Sequence, residues 1–128
     1  MARVLVVDDN VMNLRLASVV LEVAGFEVQG APDAESAQRL LAESIPDLIL
    51  MDIALPGMDG LTLTRKLKTD SRFRNVPIVA LTAFAMKGDD AKVTAAGCAG
   101  YITKPIDTRT LANQVRAYIE ADAAGRSA

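Results

Sequence analysis

Four short apolar runs, rich in Val, Ile and Leu, recur along the chain: VLVV within 4–7, DLILM within 47–51, PIVAL within 77–81 and GYIT within 100–103. Each is too short for a helix, and none alternates apolar with polar residues. Runs of this kind fit strands buried on both faces, which occur in parallel sheets covered by helices. The segment GFEVQG at 25–30 is different, because Phe26 and Val28 alternate with Glu27 and Gln29. Alternation suits an edge strand with one face exposed.

Segments of helical periodicity separate the runs. The first spans Val11–Ala24, with Asn10 as N-cap, Leu14 and Leu21 on its apolar face and Gly25 as its stop. The second spans Asp33–Glu43, with Asp33 as cap and Ala37, Leu40 and Leu41 facing inward. A third is expected over Asp59–Lys68 and a fourth over about Lys87–Ala96. The fifth opens at DTRT with Asp107 as cap and carries Leu111, Val115, Tyr118 and Ile119. The fourth has few large apolar residues and a glycine near its start, so it should be the least firmly held. Five repeats of strand then helix predict an α/β fold, a doubly wound five-stranded parallel sheet with five helices on its two faces.

The 128 residues suit one domain, expected over 1–122 with a short, fraying polar tail at 123–128. After Ile119 too little chain remains for a second module, so no output domain is expected, and the initial Met1 and polar tail read as a whole chain. Net charge is −2, from 14 basic and 16 acidic residues with no basic run, which argues against a nucleic-acid surface. The single cysteine, Cys98, lies in AAGCAG and reads as a small buried hydrophobe suited to a reducing compartment. The absence of histidine excludes His-based triads and His-ligated metals. No run approaches the ~20 apolar residues of a membrane span, and the N-terminus has no signal peptide. The chain therefore reads as cytoplasmic.

In open parallel sheets, ligands sit at the carboxyl ends of the strands. The first strand here ends in Asp8 and Asp9, the third in Asp52, the fourth in Thr82 and the fifth, just past Thr103, in Lys104. Taken singly, each has a plain explanation. The acidic pair suits a turn and cap, Asp52 a loop start, Thr82 a hydroxyl bonded to backbone, and Lys104 a solvated surface lysine. Their joint placement at one sheet edge is what argues for a site. Three carboxylates repel one another unless compensated, and one ammonium does not balance them. With oxygen ligands only, a hard divalent cation, Mg²⁺ (with Mn²⁺ as a substitute), is the natural remainder. Mg²⁺, a lysine and a hydroxyl around a carboxylate make a phosphoryl-handling site, and a carboxylate can itself accept the group as an aspartyl phosphate.

At these residues the chain resembles the two-component response-regulator receiver domains over essentially its whole length. The motifs are VLVVDDN, PDLILMDIALPGMDG, VPIVALTA and GYITKPI. LTAFAMKGD and GCAGYITKPI give a finer similarity to single-domain DivK-type regulators. The resemblance implies a flavodoxin-like, CheY-like fold with strand order 2-1-3-4-5. It implies Asp52 as phosphoacceptor, Asp9 as a direct Mg²⁺ ligand, Asp8 as one acting mainly through water, and the Ala54 backbone carbonyl as a further ligand. It also implies that Lys104 pairs with the phosphoryl oxygens and is followed by a cis bond to Pro105. Thr82 would hydrogen-bond the new phosphate and Tyr101 would be the aromatic switch, although a half-buried strand aromatic would look the same. Phe84 and Ala54 depart from the polar pair of the chemotaxis regulator, which implies slow self-dephosphorylation.

The resemblance therefore describes a phosphoacceptor switch that assists its own modification and is not a turnover enzyme. Its donor would be a histidine kinase or histidine phosphotransferase. Its output would be a protein target met through the face of the fourth helix, fifth strand and fifth helix, in a monomer or weak dimer without nucleic acid or membrane. Three rivals fit less well. An aspartyl phosphatase expects a D-x-D string at the first strand and a cap insertion. An FMN carrier expects a Ser/Thr/Gly-rich loop in place of DDNVMN. A docking module independent of phosphorylation would leave the strand-end residues unexplained.

Overall fold

The structure, a computed structural model, describes residues 2–83 and 89–127. Its order is β1 (Arg3–Val7), α1 (Val11–Val23), β2 (Glu27–Ala31), α2 (Ala34–Glu43), β3 (Leu48–Asp52), α3 (Gly60–Lys68), β4 (Ile78–Thr82), α4 (Asp89–Ala96), β5 (Gly100–Thr103) and α5 (Leu111–Ser127). The five strands form one parallel sheet in the order β2-β1-β3-β4-β5. The doubly wound α/β fold and its strand order are those expected from the sequence.

The non-alternating runs have a direct cause. Successive strand residues point to opposite faces, and both faces are covered. Leu5, Val7, Ile49, Met51, Ile78 and Ala80 join Ala37, Leu41, Leu63, Leu67 and Val93 on the side of α2, α3 and α4. Val4, Val6, Leu48, Leu50, Val79 and Leu81 join Ala17, Leu21, Leu111 and Val115 on the side of α1 and α5. Edge strand β2 is mostly part-exposed, consistent with its mixed sequence.

The helix starts follow capping chemistry. The side chains of Asn10, Asp33 and Asp59 accept hydrogen bonds from the backbone N–H groups of Asn13, Ser36 and Thr62. Asp107 does the same before α5: its carboxylate accepts from Arg109 N and its carbonyl from Leu111 N. Gly25 stops α1 with φ of 100°, a conformation that suits glycine.

Two boundaries differ from expectation. β2 begins two residues after Gly25, and Phe26 is buried beneath the sheet rather than paired in it. α5 runs as helix to Ser127, past residue 122, where the sequence places the end of the domain. The alanines of that segment are the strongest helix formers. The start expected for the fourth helix at Lys87, and Phe84 with the middle of LTAFAMKGD, lie outside the described residues.

Candidate functional site

Sheet register builds the site. Val7 pairs with Met51, so the next residues, Asp8 and Asp52, leave adjacent strands side by side. Thr82 pairs with Thr103, and Lys104 N donates to the Thr82 carbonyl at 2.7 Å, carrying Lys104 to the same edge. Asp8, Asp52 and Thr82 are buried, while Asp9 is exposed. Ligand oxygens from Asp8, Asp9 and Asp52 all lie within 4.8 Å of one another.

The Lys104 ammonium bridges the two buried acids. Its Nζ lies 3.0 Å from Asp8 Oδ2 as an ion pair and donates a hydrogen bond to Asp52 Oδ2 at 3.1 Å. The Lys104 side chain is only 16% exposed, so this is no solvated surface lysine. The free carboxylate oxygens are fixed by backbone: Asp8 Oδ1 accepts from Asn10 N and Asp52 Oδ1 from Ala54 N, each at 2.9 Å. Asp8 Oδ2 is buried, and the Lys104 ammonium is its partner.

The electrostatics are those of a site short of positive charge. Burial pushes the Asp8 carboxyl above its ordinary range. The Asn10 N–H and the Lys104 ammonium work against that shift, and the Asp52 charge adds to it. Burial alone would lower Lys104, but its contacts with Asp8 and Asp52 outweigh it and hold the ammonium above its usual value. Three carboxylates against one ammonium, all offering oxygen ligands, make a donor set that fits a hard divalent cation such as Mg²⁺.

Ala54 is exposed in the loop after β3, its N–H committed to Asp52. The Lys104–Pro105 bond is cis, as the resemblance implied. Tyr101 is 41% exposed on β5, beside the buried Ile102. Sequence reasoning missed two supports of the site. A Cβ on Gly60 would run into the Asp52 backbone carbonyl, so only glycine lets α3 start this close to β3. Gly57 takes φ of 73° in the turn between them. The LPGMDG string carried that signal, but it reads as a generic turn until the close approach is seen.

Residues 4–116 match the family described as the response regulator receiver domain. Among curated proteins, the polar-differentiation response regulator DivK of Brucella anthropi is 40% identical over 116 residues, covering 91% of this chain and 94% of that protein. DivK of Brucella ovis matches to the same extent. Among solved structures, the chemotaxis protein CheY4 of Vibrio cholerae superposes with a TM-score of 0.88 at 29% identity, covering 92% of this chain and 98% of that one. The signal receiver domain of a signal transduction histidine kinase from Syntrophus aciditrophicus gives 0.85 at 29% identity, covering 94% of this chain and 92% of that one. With the acidic strand ends, their bridging lysine and the strand order already in place, these matches agree with one another: the chain belongs to the response regulator receiver domain family.

Proposed function

We propose that the chain is a phosphoacceptor switch in which Asp52 takes a phosphoryl group from a phosphohistidine on a kinase or phosphotransfer protein. The observation that carries this reading is the Lys104 ammonium held 3.1 Å from Asp52 and 3.0 Å from Asp8 at the carboxyl ends of β3, β1 and β5. An Asp52 oxygen attacks phosphorus, the phosphorus–nitrogen bond to the donor imidazole breaks, and that nitrogen keeps the electron pair. Lys104 faces the developing charge on the transferred oxygens. The chain has no histidine, so it is the recipient and not the phosphohistidine donor.

Asp9 and Asp52 would hold Mg²⁺ directly and Asp8 mainly through water, with the Ala54 carbonyl as a further ligand; the ion would supply charge neutralisation at the phosphoryl oxygens. Thr82, buried at the end of β4, would donate its hydroxyl to the new phosphate, and Tyr101 would then turn inward. That repacks the face of α4, β5 and α5, through which a protein target would read the switch. With Ala54 carrying no polar side chain toward an attacking water, the phosphoryl group is expected to hydrolyse slowly.

Intact mass after incubation with acetyl phosphate tests the reading. One added phosphoryl group is expected with Mg²⁺ and none with chelator, and borohydride reduction should place the label on Asp52. No mass gain, or a label elsewhere, would overturn it.

Asp8 leads to a separate expectation. It is buried beside Asp52, and its charge is a cost wherever no divalent cation is present. In chelator at neutral pH, Asp8→Asn should raise unfolding stability by about 1–2 kcal/mol. The same change should weaken Mg²⁺ binding about 10–100-fold, the usual effect of losing a ligand's hydrogen-bonded support. Urea melts and Mg²⁺ titration measure the two, and a variant less stable than the parent in chelator would contradict the charge argument.

A further inference from the structure

Helix α1 carries an apolar seam on the side away from the core. Met12, Leu16, Val19 and Val23 are 74%, 41%, 51% and 84% exposed. At 100° per residue they fall within about 60° of one another on the helix surface. The face opposite holds the buried Ala17 and Leu21. A surface helix of a single domain should be polar there. The spacing of four, three and four residues is that of a coiled-coil seam, so the shape on offer fits another helix.

The charges say which helix. α1 contains two charged residues, Arg15 and Glu22, one heptad apart and along the same flank of the seam. Both are exposed, and neither is in an ion pair among the described residues. We infer that this face pairs with the same face of a second copy, the two α1 helices running antiparallel about a two-fold axis level with the Ala17–Ser18 bond. That register stacks Met12 on Val23 of the second copy and Leu16 on its Val19. In antiparallel helix pairs like flanks meet, so Arg15 of each chain lies alongside Glu22 of the other, twice over. A parallel arrangement offers Arg15 no acid. One basic and one acidic residue on the same flank of the seam make the face self-complementary, as a two-fold interface requires.

The dimer is weak. Thirteen residues of helix extend only about 20 Å, and one such helix pair buries less than the ~1,000 Å² of a stable interface. A pairing of this size shows only at high protein concentration. The pairing does not rest on phosphorylation of Asp52.

Sedimentation velocity of the full chain from about 10 μM to 1 mM tests it, the range in which a weak pairing becomes visible. The weight-average sedimentation coefficient should rise toward the dimer value with concentration. Arg15→Glu and Glu22→Arg should each flatten that rise by setting like charges opposite, and the double exchange R15E/E22R should restore it. Val19→Asp should abolish it while circular dichroism stays unchanged. A concentration-independent monomer, or a double exchange that fails to recover, would overturn the pairing. A monomer whose Val19→Asp variant loses phosphoryl uptake from a donor protein would assign the face to that donor and overturn it equally.

Discussion

An Asp52→Asn chain is expected to take up no phosphoryl group from acetyl phosphate, in Mg²⁺ and at any incubation time that saturates the parent. The substitution is nearly isosteric, and the amide oxygen can still accept from Ala54 N, as Asp52 Oδ1 does at 2.9 Å. What disappears is the nucleophile, because a neutral amide cannot form an acyl phosphate. The loss should therefore be complete rather than partial. It should also come without unfolding, since removing one of three clustered carboxylates relieves repulsion around a single ammonium. Intact mass beside a thermal melt separates the two effects. A label on the Asn variant would move the acceptor to Asp8 or Asp9, and a collapsed melt would mean that Asp52 holds the fold as well as the site.

How far the sequence foretells this arrangement depends on whether a feature is local. The strands were legible because burial on both faces leaves no polar alternation, and the paired cores around Leu5 and Val6 show why. The convergence of Asp8, Asp52 and Lys104 was legible because parallel strands end at the same edge. Strand order was not, since β1 lying between β2 and β3 is a non-local choice, and it came from resemblance to the family. Adjacent strand-end residues point in different directions, so the burial of Asp8 against the exposure of Asp9 needed the fold. So did Gly60, whose requirement comes from the Asp52 carbonyl beside it. The outer seam of α1 is present in the sequence as apolar letters, but the helical periodicity points first to Leu14 and Leu21. A helix apolar on two sides hides its second face behind its first.

Lys104→Met should be the most damaging change that leaves the acceptor itself untouched. Methionine approximates the lysine stem and keeps its packing, so the effect isolates the ammonium. That ammonium is the cation shared by Asp8 and Asp52, and without it two buried carboxylates face each other with no counter-charge among the described residues. Solvent reaches part of the lysine, which discounts the penalty to about 1–2 kcal/mol of stability in chelator. Phosphoryl uptake at Asp52 should slow by about 10²–10³-fold, the scale of removing one preorganised donor from developing charge. The two losses should respond differently to Mg²⁺. A divalent cation at the acids would replace the missing charge between them, so Mg²⁺ should raise the melting temperature of the variant more than that of the parent. It cannot replace a donor aimed at the transferred oxygens, so the rate should stay low in saturating Mg²⁺. Melting curves and mass-resolved uptake across a Mg²⁺ series read both at once. If saturating Mg²⁺ brings uptake to within a few-fold of the parent, Lys104 is only a counter-ion for the acids and has no part in phosphoryl transfer.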